Sequence, residues 1–193
     1  MGHSMSSEAQ DARVAAGEAV PALPDGISQQ QIGAAVSKLI SASVGDVAIV
    51  FSRSAEHKHY AFADLEWMIL PAVVTGQCYV AELQHTELGT RAPVAAVLWA
   101  SVSAETDQRL SANPAARIRL RPDEWKGGEH LWIVDIAGEP AAIGGALNEL
   151  AGTILKGKTV KVVMLDASGR PSIETLHALI AQAAAVAKPR GAA

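Results

Sequence analysis

The chain has 193 residues, of which 49% are hydrophobic, and its formal net charge at pH 7 is -4. This length and composition suit one domain with a substantial core rather than two. The acidic balance argues against a nucleic-acid-binding protein, which normally carries a basic surplus. We therefore expect small molecules or other proteins as partners.

The sequence contains few features that indicate a cellular compartment. The single cysteine, Cys78, excludes an intrachain disulfide and a multi-cysteine zinc site. No stretch approaches about 18 consecutive apolar residues, so we expect no integral membrane segment, and the N-terminus lacks the pattern of a secretory signal. We expect a cytoplasmic protein. Residues 1–27 read as a disordered leader, with a candidate tag scar at 1–5, and residues 189–193 as a loose tail.

The predicted elements begin with two helices. Apolar spacing predicts a first helix from its N-cap Ser28 to about Ser43, and the short apolar run 47–51 fits either helix or strand. A second helix is predicted over 60–74, with an apolar stripe that includes Phe62. Pro71 should bend or end this helix.

Strands and helices then alternate. The predicted strands cover residues 78–83, 93–102, 130–137 and 159–165, and the second is apolar on both faces, as a central strand would be. The remaining helices are predicted over residues 103–113, 143–154 and 172–187. This order predicts a mixed α/β (α+β) domain built around one sheet over residues 28–188.

A titrating cluster, Glu56-His57-Lys58-His59, lies at the entrance to the second helix. His57 and His59 with Glu56 could form part of a metal site, but no third and fourth ligands are recognisable, and a solvated pair is the more frequent case. One histidine could instead act as a general base, which needs a carboxylate to fix its tautomer.

Asp135 is the best candidate for that carboxylate on sequence grounds. It interrupts the apolar run 131–136, where a carboxylate is costly unless it is paired or faces a cleft. The alternative is that the strand ends at Asp135.

Three other features have a functional and a simpler interpretation. Gly144-Gly145 could let the backbone approach a phosphate, or could belong to a tight strand-to-helix turn. Arg117, Arg119 and Arg121 alternate, so an extended segment would place them on one face, which could dock an acidic protein or be merely solvated. Cys78 fits a buried small residue better than a nucleophile.

The ordered combination of motifs over residues 45–170 resembles a known family, the bacterial lysine acyltransferases that activate RTX protoxins. The motifs are Ser54-x-x-His57, Asp64-Leu-Glu-Trp-Met-Ile-Leu-Pro71, Gly76-Gln-x-Tyr79, Trp99-Ala-Ser101, Asp123-Glu-Trp125-Lys-Gly-Gly-Glu and Leu131-Trp-Ile-Val-Asp135. The chain departs from the family pattern at Ala55, where a proline is usual, and at 137–144, where Ala-Pro-Phe-Gly is usual.

The resemblance implies a single GNAT-like domain with a central, mostly antiparallel sheet flanked by helices. It implies acyl carrier protein as the acyl donor, no bound cofactor, an RTX protoxin as substrate and a homodimer. By motif position, the family's catalytic pair falls on His57 and Asp135, while His59 falls where the family varies.

The implied reaction moves a fatty acyl group from a thioester to a lysine ε-amine. A free lysine with pKa about 10.4 is neutral in about one molecule in 2,500 at pH 7, a deficit of about 4.6 kcal/mol, whereas an ordinary imidazole is mostly neutral and can accept a proton. We expect His57 to be the base and Asp135 to orient it or to position the amine. Direct transfer is favoured, because no serine has a base paired with it in the sequence.

Two alternatives remain at this point. One is a GNAT-fold module without catalysis that binds acyl carrier protein or another protein. The other is an acetyl-coenzyme A dependent N-acetyltransferase, although the phosphate-binding loop of such enzymes is not visible in the sequence.

Overall fold

A computed structural model describes residues 28–85, 89–166 and 168–187. The predicted leader 1–27 and tail 189–193 lie outside these residues. The elements, in chain order, are α1 (Gln29–Arg53), a π-helical segment (Leu65–Ile69), α2 (Leu70–Val74), β1 (Cys78–His85), β2 (Thr90–Val102), α3 (Ala104–Ala112), a 3₁₀ turn (Pro122–Glu124), β3 (His130–Gly138), α4 (Pro140–Gly152), β4 (Val160–Leu165), β5 (Pro171–Thr175) and α5 (Leu176–Ala187).

The five strands form one sheet in the order β1-β2-β3-β4-β5. All neighbouring pairs are antiparallel except β3–β4, which is parallel. A parallel pair needs a crossover connection, and α4 provides it. The predicted mixed fold with a mostly antiparallel sheet is confirmed, and it is consistent with a single GNAT-like domain.

Strand β5 corrects the prediction that a helix begins at Ser172. The alanine-rich composition after residue 177 extended the predicted helix backwards over the segment Pro171–Thr175. That segment pairs antiparallel with β4. Its Ile173 and Thr175 are β-branched and favour extended structure.

The sheet separates two hydrophobic cores, and β2 contributes to both. Its residues Ala96, Leu98, Ala100 and Val102 pack towards α1, the π-helical segment and α3. Val97 and Trp99 pack towards α4 and α5. The prediction of a central strand that is apolar on both faces is therefore confirmed.

Helix α1 begins as predicted but ends ten residues later than predicted. Ser28 and Gln31 form a capping box, in which each side chain accepts a hydrogen bond from the other residue's backbone N–H. The helix continues through Gly45 to Arg53 because Val47, Val50 and Phe51 are buried against the sheet. Burial of a large apolar side chain contributes about 1.5–3 kcal/mol, more than the roughly 1 kcal/mol cost of one helical glycine.

The start of α1 extends beyond the core. Val36 is 48% exposed and Leu39 is 66% exposed. Within the described residues, α1 is the one helix long and apolar enough to cross a membrane by length and composition, with a best window of mean hydropathy 1.6. Core helices and signal sequences meet the same criterion, and the end of this helix packs in the core. The expectation of no integral membrane segment therefore stays a prediction.

The predicted second helix is shorter and irregular. Pro71 has no N–H, and in a regular α-helix its ring would clash with the carbonyl of Trp67. The preceding turn is π-helical instead, with the Leu70 N–H bonded to the Leu65 carbonyl. Phe62 lies before this segment and is 93% exposed, so its predicted place in the buried stripe is wrong.

A buried carboxylate connects α3 to the sheet. Asp107 accepts hydrogen bonds from Trp132 Nε1 at 2.8 Å and from Lys161 Nζ at 2.8 Å. Burial raises the pKa of Asp107, but the hydrogen bonds from Lys161 and Trp132 outweigh this and hold the pKa below its ordinary value. Asp107 therefore stabilises the folded state while it is ionised.

We predict that Asp107→Asn lowers the free energy of unfolding by about 1.5–3 kcal/mol at pH 7, because a charge-assisted hydrogen bond to Lys161 is lost. In the wild type this stabilisation is complete above the unfolded carboxyl pKa of about 3.9 and is lost as the pH falls through the lower folded pKa. Urea titrations at decreasing pH, starting from pH 7, should therefore show that the free energy of unfolding falls less with pH in the variant than in the wild type. Asp123→Asn, at an exposed side chain, is the control, and equal behaviour of the two variants would contradict the prediction.

Candidate active site

His57 lies directly after the end of α1. Ser54 ends the helix with extended backbone angles (φ -79°, ψ 131°), and its N–H bonds the Phe51 carbonyl. Two turns follow, closed by His57 N–H to the Ser54 carbonyl and by Tyr60 N–H to the His57 carbonyl. The His57 ring is 5% exposed, with its centroid 4.4 Å from that of Phe51 and 5.3 Å from that of Tyr60. The turns therefore bury the imidazole between two aromatic rings.

Both nitrogens of this ring are hydrogen-bonded. Nδ1 lies 2.8 Å from Ser54 Oγ, and Nε2 lies 2.8 Å from Asp135 Oδ1. The two residues chosen from the sequence as a catalytic pair are thus in direct contact, although 78 positions separate them.

A β-bulge brings Asp135 to the histidine. Leu98 pairs with Asp135 and Trp99 pairs with Ile133, so Val134 has no partner on β2. Trp132 and Val134 pack into the core beneath α1, and strict alternation would place Asp135 on the opposite face, towards α4 and α5. The extra residue turns Asp135 to the His57 side. The alternative that the strand ends at Asp135 is wrong, because β3 continues to Gly138.

Asp135 also contacts a backbone donor and a cation. Oδ1 also accepts the Ile136 N–H at 2.9 Å, and Oδ2 lies 3.9 Å from a guanidinium nitrogen of Arg117. An ionised carboxylate only accepts hydrogen bonds, so the network assigns a proton to His57 Nε2. In the neutral ring, the lone pair of Nδ1 then points at the Ser54 hydroxyl, and Nδ1 is the nitrogen able to accept a proton.

The segment 117–121 is neither helix nor strand, and its arginines alternate with two residues that pack inward, Ile118 and Leu120. The Arg117 guanidinium lies 4.1 Å from the Tyr60 ring centroid, and that of Arg119 lies 4.7 Å from the Trp67 ring. Arg121 pairs instead with Asp123 and Glu124, each at 3.6 Å. All three arginines are exposed, and two of them stack on aromatic rings beside the site.

A cleft opens where β3 and β4 separate. In the described chain these strands pair only through Leu131–Val160 and Trp132–Lys161. Beyond those pairs lies a cavity of about 420 Å³, whose walls include Arg117 and Asp135. The cleft lies next to the His57–Asp135 pair.

A model of the RTX toxin acyltransferase family matches residues 38–175, which is more than half of the chain. The chain belongs to that family. It is therefore an acyltransferase that acts in RTX toxin activation, and its substrate is an RTX protoxin. The matched range contains both His57 and Asp135. No curated protein matches the chain.

The other sequence candidates lie apart from this pair in the acyltransferase. Gly144 and Gly145 lie inside α4, past its first turn, and a Cβ at Gly144 would meet Ala183 at 4.0 Å. This is an ordinary van der Waals distance, so neither glycine is required for close packing, and neither lies in a strand-to-helix turn. His59 is exposed, and the described residues include no group of three or more His, Cys, Asp or Glu that could hold a metal ion.

Cys78 is half-buried in β1, and its surroundings make it a poor nucleophile. Burial raises the pKa of its thiol to about 12, and the nearby charge of Asp46 adds to the effect. At neutral pH the thiol stays protonated. Cys78 is therefore a poor candidate for the nucleophile of the acyltransferase.

Ser54 is the site residue that the sequence reasoning missed. The expectation that no serine has a paired base is wrong, because Ser54 Oγ contacts His57 Nδ1. The sequence signal for this contact is the spacing of three residues between Ser54 and His57, because a single turn brings residues at that spacing together. The length of α1 hid that turn, because the first helix was predicted to end near Ser43.

Proposed function

We propose that this acyltransferase moves a fatty acyl group from acyl carrier protein to a lysine ε-amine of an RTX protoxin, with His57 as general base and Asp135 as its orienting group. The observation that carries the proposal is the 2.8 Å contact between His57 Nε2 and Asp135 Oδ1. A carboxylate on one ring nitrogen fixes the tautomer that leaves the other nitrogen basic. The proposal needs no bound cofactor.

In the proposed step, the neutral lysine nitrogen attacks the thioester carbonyl. A carbon–nitrogen bond forms and the carbon–sulfur bond breaks. The proton lost by the amine passes to His57 Nδ1 and then to the departing sulfur, so that the products are an amide and a carrier thiol. Asp135 stabilises the imidazolium formed in between, and the Arg117 guanidinium lies 3.9 Å from the other carboxylate oxygen.

Ser54 lies between Nδ1 and any incoming amine. Its hydroxyl can accept the amine proton while giving its own proton to Nδ1, which makes it a relay in a direct transfer. The same contact permits a second route, in which Ser54 is acylated first. We favour the relay, because Ser54 is also the C-cap of α1 and its backbone is held by Phe51.

The donor is proposed to enter through the cleft between β3 and β4. The arm that links an acyl group to its carrier protein is long and contains amides, which suits the diverging strand edges beside Asp135. Arg117 and Arg119 lie at this side of the site, and a cationic surface suits an acidic carrier protein. This arrangement supports a donor that carries such an arm, and the lack of a recognisable coenzyme A phosphate-binding loop in the sequence favours acyl carrier protein over acetyl-coenzyme A.

A homodimer and a cytoplasmic location complete the proposal. The exposed apolar residues Val36 and Leu39 at the start of α1 support a contact between two copies. The single cysteine suits a reducing compartment.

We predict that His57→Ala lowers lysine acylation by about 10²–10⁴-fold, the range expected when a general base is removed. His59→Ala is the matched control, because His59 is exposed two residues away, and it should stay within a few-fold of wild type. Mass spectrometry of the protoxin after incubation with acyl carrier protein measures both. If His57→Ala acylates as fast as His59→Ala, His57 is not the base. A wild-type enzyme that gains an acyl mass from the donor alone would favour the Ser54 route.

We predict that Arg119→Glu raises KM for acyl carrier protein at least five-fold at low salt, because it reverses a charge on the proposed docking face. The difference from wild type should shrink as salt is added. Lys156→Glu makes the same charge change at an exposed residue after α4 and should leave KM unchanged. Equal KM values for the two variants, or faster transfer from acyl-coenzyme A than from the carrier protein, would contradict the donor assignment.

A further inference from the structure

A second cavity, of about 210 Å³, opens beside the His57 ring and has no role in the chemistry above. Its walls come from α1, through Ala48 and Phe51, and from the π-helical segment, through residues 65–69. We call it the α1–π cavity. Phe51, Met68 and Ile69 in its walls are each at most 3% exposed. The cavity is thus an apolar space built into the first hydrophobic core.

Of the polar side chains that line the α1–π cavity, those of Ser52, His57 and Asp64 are already hydrogen-bonded, and those of Lys58 and Tyr60 also lie in its wall. Asp64 accepts hydrogen bonds from Trp67 Nε1 and from the Ala61 N–H, both at 2.8 Å. Lys58 is exposed. The buried part of the wall is hydrocarbon, through Phe51, Met68 and Ile69. Such a wall favours an alkyl chain.

The π-helical segment gives the cavity one wall. Its wide turn follows from Pro71, as described above, and presents Leu65, Met68 and Ile69 to the cavity. Irregular turns of this kind occur frequently at functional sites. Phe62, which is 93% exposed, also lines the cavity, so an apolar side chain is available to an alkyl group before it enters.

The α1–π cavity and the β3–β4 cleft meet at the catalytic pair. His57 and Tyr60 line the cavity, whereas Asp135 and Arg117 line the cleft. His57 is bonded to Asp135, and Arg117 stacks on Tyr60. A thioester held in the cleft with its carbonyl at His57 would thus have its alkyl chain beside the mouth of the cavity.

We propose that the α1–π cavity binds the alkyl end of the donor's acyl chain and sets the chain length that is transferred. This inference rests on the proposed function and adds the specificity site. At roughly 30 Å³ for a water-sized group, which is close to a methylene, the cavity holds roughly seven carbons. Each methylene buried there improves binding about four-fold. Methylenes beyond the length of the cavity and its mouth add no further binding affinity.

The test fills the cavity from α1. Ala48→Leu and Ala48→Phe place progressively larger side chains in it, while Ile49→Phe puts the same ring on a neighbouring residue that is 41% exposed and does not line the cavity. Acyl carrier proteins loaded with chains from butyryl to palmitoyl are the substrates. We expect kcat/KM for the long chains, relative to butyryl, to fall at least ten-fold in Ala48→Phe and less in Ala48→Leu. Ile49→Phe should keep the wild-type profile.

A binding measurement without transfer separates this inference from the proposed function. Calorimetry with decanoate should show binding to the wild type and to Ile49→Phe, and at least ten-fold weaker binding to Ala48→Phe. Equal decanoate binding by both phenylalanine variants, or a chain-length profile that is unchanged in both Ala48 variants, overturns the cavity assignment. A wild type that binds decanoate as predicted but transfers no chain from carrier protein overturns the donor assignment and leaves the cavity supported.

Discussion

The hydrogen bond between His57 Nε2 and Asp135 Oδ1 is the contact on which the site depends. One partner lies in the turn after α1, and the other lies in the interior of β3. A buried imidazole and a carboxylate are both costly to desolvate unless they are paired. The pairing therefore requires that the end of α1 and the bulge of β3 be held in a fixed relation, and the first hydrophobic core holds them.

Two local irregularities shape the surroundings of that pair. The bulge at Val134 turns Asp135 towards α1, and the π-helical turn before Pro71 forms one wall of the apolar cavity beside His57. The bulge and the π-helical turn each lack the regular hydrogen-bond pattern at one position. Packing in the first hydrophobic core, which includes Leu98 and Phe51, stabilises both. The acyltransferase thus brings together a charged cleft and a hydrocarbon cavity at one imidazole.

Much of the fold could be predicted from periodicity and end signals, because these are local. The N-cap Ser28 and the apolar strand β2 are examples. Features that depend on tertiary packing could not be predicted. The extension of α1 past Gly45 depends on burial against the sheet, and the strand at Pro171–Thr175 depends on pairing with β4. For the site, the resemblance placed His57 and Asp135 together, but the bulge that makes their contact possible has no signal in composition.

The most direct test of the account is lysine acylation of the protoxin by Asp135→Asn, with acyl carrier protein as donor and peptide mass spectrometry as the readout. The variant keeps the shape of the side chain and removes the charge that is proposed to orient His57 and to stabilise its protonated form. The account predicts a cooperatively folded enzyme whose acylation rate is lower by about 10²–10⁴-fold. A folded Asp135→Asn enzyme that acylates the same lysine within a few-fold of the wild-type rate would contradict it.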